Sequence, residues 1–300
     1  MSIEVNNLTN YYGDQAAVNN ISFKIEPGQI VGFLGPNGAG KSTTMKIISC
    51  YLSASSGEVS VNGMSTHKNP IKIKSELGYL PENNPLYDDM YVMEFLNFIA
   101  QIHKVKETKE AVKKVIQKVG LEKEAHKKIG QLSKGYQQRV GIAQAIIHDP
   151  KVLILDEPTS GLDPNQLDEI RELIKNLGKE KTVMLSTHIM QEVESICDRI
   201  IIIKDGELIK DDTIEKASDD DQAEQIIEVE FEQTISLELL QKNIPNSTIK
   251  QNKKRWLISS ASKKDIRLII SSFAQKNELL ILEMKKHTEK LEDLFKKLTK

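Results

Sequence analysis

A chain of 300 residues with 39% hydrophobic and 28% charged residues can bury one large core and a smaller one, and is not a disordered polymer. Its 41 Lys+Arg against 43 Asp+Glu leave a net charge of −2, without the basic excess expected of a nucleic-acid binder. The longest uncharged run, 27–40, has 14 residues and five glycines, short of the about 20 apolar residues that a membrane helix needs. The opening residues carry neither a basic nor an apolar leader segment, so no secretory signal is expected. Two cysteines, Cys50 and Cys197, are read as buried thiols rather than a disulfide framework.

In chain order, Ile30–Leu34 reads as a buried strand that enters a glycine-rich turn and a helix over 42–51. Residues 84–149 turn almost wholly helical, with apolar positions at helical spacing over 93–104 and 106–119. Residues 151–156 (KVLILD) and 182–186 (TVMLS) read as further buried strands. Strands at 198–204 and 206–210 flank Asp205-Gly206, a strong hairpin signal. Strands alternating with helices predict an α/β unit. The acidic stretch 218–224 (SDDDQAE) breaks the pattern and reads as a linker. Beyond it come strands at 225–231, 248–250, 256–259 and 279–284 and helices at 237–242 and 263–276. That βαββαβ order, with a closing amphipathic helix at 288–298, predicts a small ferredoxin-like domain. Lys253-Lys254-Arg255 reads as a solvated turn, and Trp256 as core.

Gly35-Pro36-Asn37-Gly38-Ala39-Gly40-Lys41-Ser42 matches G-x-x-x-x-G-K-[ST], with a strand before it and a helix after it. Glycines let consecutive N–H groups point inward as an anion nest, and the helix N-terminus adds partial positive charge. Lys41 would bring a full charge to the β/γ-phosphates, and Ser42 a hydroxyl to Mg²⁺. Asp156-Glu157 ends the second buried strand. Alone, such a pair before Pro158 is also a solvated strand end. Beside a phosphate cradle it reads as a Mg²⁺-holding Asp156 and a carboxylate, Glu157, that orients or deprotonates water. His188 follows the third strand, where open α/β sheets place ligands, and could donate to a γ-phosphate; a lone His is also often structural.

Leu132-Ser133-Lys134-Gly135-Tyr136-Gln137-Gln138-Arg139 resembles the signature of ABC ATPases, usually written LSGGQ. The glycine-rich motif, Leu153–Glu157, Ser160-Gly161-Leu162-Asp163 and His188 complete the family's order over residues 1 to about 215. The resemblance implies a P-loop NTPase core of the ABC ATPase type over 1–217, with a helical subdomain at about 84–149. It leaves a linker at 218–223 and an α+β ferredoxin-like regulatory or dimerisation domain at 224–300.

The family's roles carry over residue by residue. Tyr12 matches the aromatic that stacks on adenine, with Tyr11 the alternative. Gly35, Pro36, Asn37, Gly38, Ala39, Gly40, Lys41, Ser42 and Thr43 match the phosphate cradle of ATP. Ser42, Glu82 and Asp156 match the Mg²⁺ positions, Glu157 the catalytic base and His188 the γ-phosphate switch. Ser133 and Gly135 match residues that contact ATP held by a second subunit, which implies a head-to-tail dimer over two ATP. Asp163 would communicate between the two sites. Glu82 stands where glutamine is usual, and Lys134 and Tyr136 replace the usual Gly and Gln.

At finer scale 125–128 (AHKK) before 130–136 (GQLSKGY), Tyr79-Leu80-Pro81-Glu82 and 163–166 (DPNQ) resemble gliding-motility ATP-binding subunits, and 291–295 (LEDLF) resembles the tail of bacterial drug-export ATPases. The expectation is an ATP-hydrolysing subunit that powers a separate integral membrane permease, for export or gliding motility. It would be cytoplasmic and peripheral on the inner face of the membrane, receive the permease near residues 83–98, and bind no nucleic acid. The alternative is a soluble ABC ATPase without a membrane partner. One cassette, no heptad run and an acidic linker disfavour the DNA-repair and ribosomal types.

Overall fold

The computed structural model describes residues 2–214, 225–244, 247–252, 255–260, 265–287 and 295. The chain divides into two compact units, 1–214 and 215–298. The expected linker at 218–223 and, but for Phe295, the closing helix at 288–298 lie outside the described residues, as do Lys253 and Lys254.

The first unit holds two sheets. One is antiparallel, built from β1 (Ile3–Tyr12), β2 (Gln15–Ile25), β4 (Ser56–Val61) and β5 (Met64–Ser65) in the order β2-β1-β4-β5. Here the expected alternation of strand and helix is corrected, because β1 and β2 form a direct hairpin. The pairing shifts register between Val5 and Leu8 and again before Asn10. Asn7 and Asn20 sit in the left-handed region, and such irregularities blur the two-residue apolar period.

The second sheet runs β10-β9-β3-β8-β7-β6. It joins β3 (Ile30–Leu34), β6 (Leu77–Leu80), β7 (Val152–Asp156), β8 (Thr182–Thr187), β9 (Arg199–Lys204) and β10 (Glu207–Thr213). All pairings are parallel except that of β9 with β10. Every residue of β3, β7 and β8 is buried, as strands covered on both faces require. The carboxyl ends of β3, β6, β7 and β8 therefore carry residues 35, 81, 157 and 188 to one edge, the usual ligand edge of an open α/β sheet.

Around the sheets lie α1 (Lys41–Ile48), α2 (Pro70–Glu76), α6 (Pro164–Gly178) and α7 (Met190–Ile196). Between β6 and β7 come α3 (Val92–Ile102), α4 (Thr108–Lys118), a 3₁₀ turn at Ile129–Gln131 and α5 (Lys134–Ile146). The insertion is less helical than expected, since 84–91 and 119–128 form turns and loops. The helix after the glycine loop starts one residue early and stops at Ile48, where Cys50 turns left-handed and Tyr51 and Leu52 donate back to the Lys46 carbonyl.

His103, which follows α3, stacks on His148, which follows α5, at 3.9 Å and 10°. The His148 ring is driven down to about 4 from 6.5, first by burial and then by His103, against the Leu77 carbonyl that faces its Nε2. Below pH 6.5 the unfolded chain takes up a proton that the folded chain refuses until about pH 4. Stability is thus lost as pH falls across that window, by about 2 kcal/mol at pH 5. Urea midpoints at pH 7 and pH 5 check this: His148→Gln is expected to remove that much of the acid sensitivity.

The second unit contains β11 (Gln225–Phe231), α8 (Leu237–Asn243), β12 (Ser247–Asn252), β13 (Arg255–Ser260), α9 (Ile266–Lys276) and β14 (Ile281–His287). Its sheet is antiparallel in the order β12-β13-β11-β14. The element order is the expected one, with the last strand displaced from 279–284. Ile227, Val229, Trp256, Ile258, Leu240, Ile270 and Phe273 form its core. Arg255 is not in a solvated turn. It begins β13 and pairs with Glu228, Glu230 and Glu283.

Candidate nucleotide site

The loop from Gly35 to Gly40 leaves β3 and opens α1. Gly38 and Gly40 take φ of +82° and +102°, a region that L side chains avoid. The Gly40 Cα also lies against the Ala17 carbonyl, and the Gly35 Cα against the Ile203 carbonyl. Ala39 is buried in the core. The Lys41 ammonium donates to the carbonyls of Gly35 (2.7 Å) and Pro36 (3.1 Å). Burial lowers the Lys41 pKa, while Glu157, Asp156 and Glu82 act in the other direction. A cation held among carboxylates and carbonyls at a helix N-terminus suits a polyanion with its metal.

A cavity of about 400 Å³ lies over this loop. Tyr12, Gln15, Ala17, Asn37, Gly38, Gly40, Lys41, Ser42, Thr43, Glu82 and Glu157 line it. Tyr12 reaches the cavity and Tyr11 does not line it, although both are exposed. Gln15 and Ala17 were not legible as site residues; their only signal is the tight Gly13-Asp14 turn that brings β2 back beside Tyr12.

The acidic wall is built on β7 and β8. The Ser186 hydroxyl donates to Asp156 Oδ1 at 2.6 Å and accepts from the Glu157 amide at 2.8 Å. One hydroxyl thus fixes both acidic positions. Sequence reasoning missed Ser186, whose signal was a polar residue directly after the apolar run Val183-Met184-Leu185. Glu157 itself is buried and left-handed, with φ +50°. Such strain costs about 1–3 kcal/mol and persists where the surroundings over-determine it. His188 is 54% exposed and places Nδ1 3.0 Å from Glu157 Oε2. A carboxylate oxygen is an acceptor, so this contact suits the tautomer with the proton on Nδ1.

Ser133 caps the N-terminus of α5, accepting from the Tyr136 amide at 3.5 Å. The Gln166 amide donates to Ser133 Oγ at 3.4 Å and packs on Gly135. Lys134 lays its ammonium against Gly161, and Asp163 caps α6 through the Gln166 amide at 3.0 Å. The signature-like residues are thus joined to 160–166, but Ser133 and Gly135 do not line the cavity of their own chain.

Comparison with known proteins places this geometry. The family profile of ABC transporters matches residues 18–160. The chain is 34% identical over 299 residues to the uncharacterized ABC transporter ATP-binding protein YhcH of Bacillus subtilis (strain 168), spanning 99% of this chain and 95% of that one. It is 38% identical over 211 residues to the bacitracin transport ATP-binding protein BcrA of Bacillus licheniformis, spanning 70% of this chain and 69% of that one. Among solved structures, the dimeric post-hydrolysis state of the ATP-binding cassette MJ0796 bound to ADP and Pi matches with a TM-score of 0.65 and 29% identity, over 71% of this chain and 98% of that chain. A P-loop cradle, a strand-end Asp-Glu pair and near full-length similarity agree: the chain belongs to the ABC transporter ATP-binding proteins and is an ATP-hydrolysing enzyme.

Proposed function

We propose that the chain powers a separate membrane-embedded transport subunit by closing as a head-to-tail dimer over two ATP and reopening on hydrolysis. The observation that carries the hydrolytic part is the meeting of Lys41 and Glu157 at one cavity, with His188 bonded to Glu157. Tyr12 would stack on adenine, and the amides from Gly35 to Thr43 with Lys41 would hold the phosphates. Glu157 would take a proton from the attacking water. His188 would shift its hydrogen bonding toward the γ-phosphate as that group arrives.

The donors Ser42, Asp156 and Glu82 fit Mg²⁺. A hydroxyl and two carboxylates suit an ion that keeps waters and shares phosphate oxygens, and no cluster of three or more His, Cys, Asp or Glu stands ready as a metal cage among the described residues. When bound, Mg²⁺ supplies charge neutralisation between the β- and γ-phosphates. Ser133 and Gly135, absent from their own chain's cavity, would serve the ATP of the other subunit through the free amides of α5. Asp163, on the loop that meets the signature residues, would relay between sites.

Among the described residues no helix is long and apolar enough to cross a membrane. Tyr87, Tyr91, Met93 and Phe98 are exposed around the start of α3, an apolar patch suited to a cytoplasmic helix of the membrane partner. The chain would then lie in the cytoplasm against the inner face of the membrane. Similarity to a bacitracin transport subunit supports export; the gliding-motility resemblance stands as the second reading. The second unit would be a ferredoxin-like regulatory or dimerisation domain, a reading supported by its βαββαβ order.

Tagged full-length chain, extracted with mild detergent from its native membranes, is expected to carry an integral membrane protein. Replacing Tyr87 and Phe98 by Asp should release it and leave the basal ATPase rate within about twofold, as a surface patch away from the chemistry predicts. A native complex without any integral membrane protein would remove the transport reading.

A further inference from the structure

We propose that Glu192 is a positioning residue for hydrolysis: its buried carboxylate orients the Thr187 hydroxyl, and that hydroxyl sets the short backbone segment that aims His188 at Glu157. The inference rests on the role given to His188 above.

Glu192 lies in the first turn of α7 and is 1% exposed. Its Oε2 accepts from Thr187 Oγ1 at 2.7 Å. Its Oε1 makes no hydrogen bond and has Arg171 Nη2, from α6, 3.8 Å away. Thr187 is fully buried at the end of β8 and accepts from the Ile189 amide at 3.1 Å. One hydroxyl therefore ties the residue before His188 to the residue after it.

The chemistry of the acceptor decides why a carboxylate stands there. A free threonine hydroxyl has three rotor positions. The Thr187 hydroxyl donates to Glu192 Oε2, so its proton points toward that oxygen. The remaining lone pairs then face the Ile189 amide. His188 is itself 54% exposed and meets Glu157 through Nδ1, so its aim depends on this backbone span as well as on that contact.

A buried carboxylate whose charged partner stands off costs desolvation, and that cost works against stability. The Arg171 guanidinium stands 3.8 Å off, and its Nε lacks a partner. The cost is understandable if the carboxylate serves the histidine beside it.

Steady-state ATP hydrolysis by the full chain tests this, with Glu192→Met, Thr187→Val, Thr187→Ser, His188→Ala and the Glu192→Met/His188→Ala double variant. Glu192→Met and Thr187→Val are expected to lower kcat about tenfold, the scale of a small misplacement of a reacting group, with KM for ATP unchanged within about twofold. Glu192→Met leaves the buried Thr187 hydroxyl without its acceptor, so its melting temperature should fall by a few degrees and kcat is read well below it. Thr187→Ser, which keeps the hydroxyl, should restore kcat. In the double variant the loss should equal that of His188→Ala alone, because the two act through one group. A purely structural role predicts losses that multiply, and that result would overturn the proposal, as would natural kcat in Thr187→Val. Natural kcat in His188→Ala would overturn the role of His188 itself. Impaired His188→Ala beside fully active Glu192→Met and Thr187→Val would sink only the part given to Glu192.

Discussion

A Glu157→Gln variant is expected to bind ATP as tightly as the natural chain and to hydrolyse it about 100- to 10,000-fold more slowly, the usual weight of general-base catalysis. Glutamine keeps the length of the side chain and an oxygen that can accept from His188 Nδ1. It cannot take a proton from water. Glu157 is held by two contacts, its amide donating to Ser186 and its carboxylate meeting His188, and these keep its backbone left-handed. Neither contact requires the negative charge. Removing the charge also takes one anion away from the cavity that would hold the phosphates, so binding should not weaken. Single-turnover hydrolysis measures the first effect and filter retention of labelled ATP the second. Light scattering with ATP should then show the dimer accumulating, because closure would no longer be followed by reopening. Undiminished turnover would exclude Glu157 as the base. Loss of ATP binding in a folded variant would mean that Glu157 holds the nucleotide rather than activating water.

The parts of this molecule that can be read from sequence are those with one dominant physical demand. Residues of β3, β7 and β8 are buried throughout, so their apolar runs are continuous and their ends fall within one residue of expectation. The glycine loop is legible because phosphate chemistry fixes both spacing and residue type. The β1–β2 hairpin is not, because Asn7 and Asn20 interrupt its alternation with left-handed turns. The end of α1 is hidden for a related reason: Cys50 stops the helix in a conformation that its residue type does not advertise. In the second unit, Leu279 donates back to Ala274 and Glu278 is left-handed. The helix thus holds its exit for two more residues, and β14 begins later than its apolar residues suggest. The hidden site residues share a property too. Ser186 and Gln166 act on neighbours distant in sequence, and no local pattern records such pairings. The strain at Glu157 belongs to the same class, since it exists only because β7 and β8 are already in place.

Gly40→Ala is expected to reduce nucleotide affinity at least 100-fold, whereas Gly38→Ala, two residues away, should cost less than tenfold, a gap of about 1.4 kcal/mol or more. Both glycines have positive φ, +82° and +102°, so both alanines carry backbone strain of about 1–3 kcal/mol. Only one meets an obstacle. A Cβ at Gly38 finds nothing within 4 Å, while one at Gly40 runs into the carbonyl oxygen of Ala17. That oxygen belongs to β2 and cannot retreat. Val18 beside it is fully buried, and the Asn19 amide is tied to the Gly206 carbonyl at 2.8 Å. Gly206 in turn donates to the Ala39 carbonyl at 3.2 Å, back in the loop itself. The loop must therefore open on its Lys41 side, which withdraws the ammonium and the first amides of α1 together. A total cost near 3 kcal/mol in a unit of this size should lower the melting temperature by about 6–12 °C. Calorimetry of both variants with and without ATP separates the two contributions. Equal losses at positions 38 and 40 would show that the loop needs glycine for its dihedral angles alone, and that the close approach to β2 plays no part in holding the phosphates.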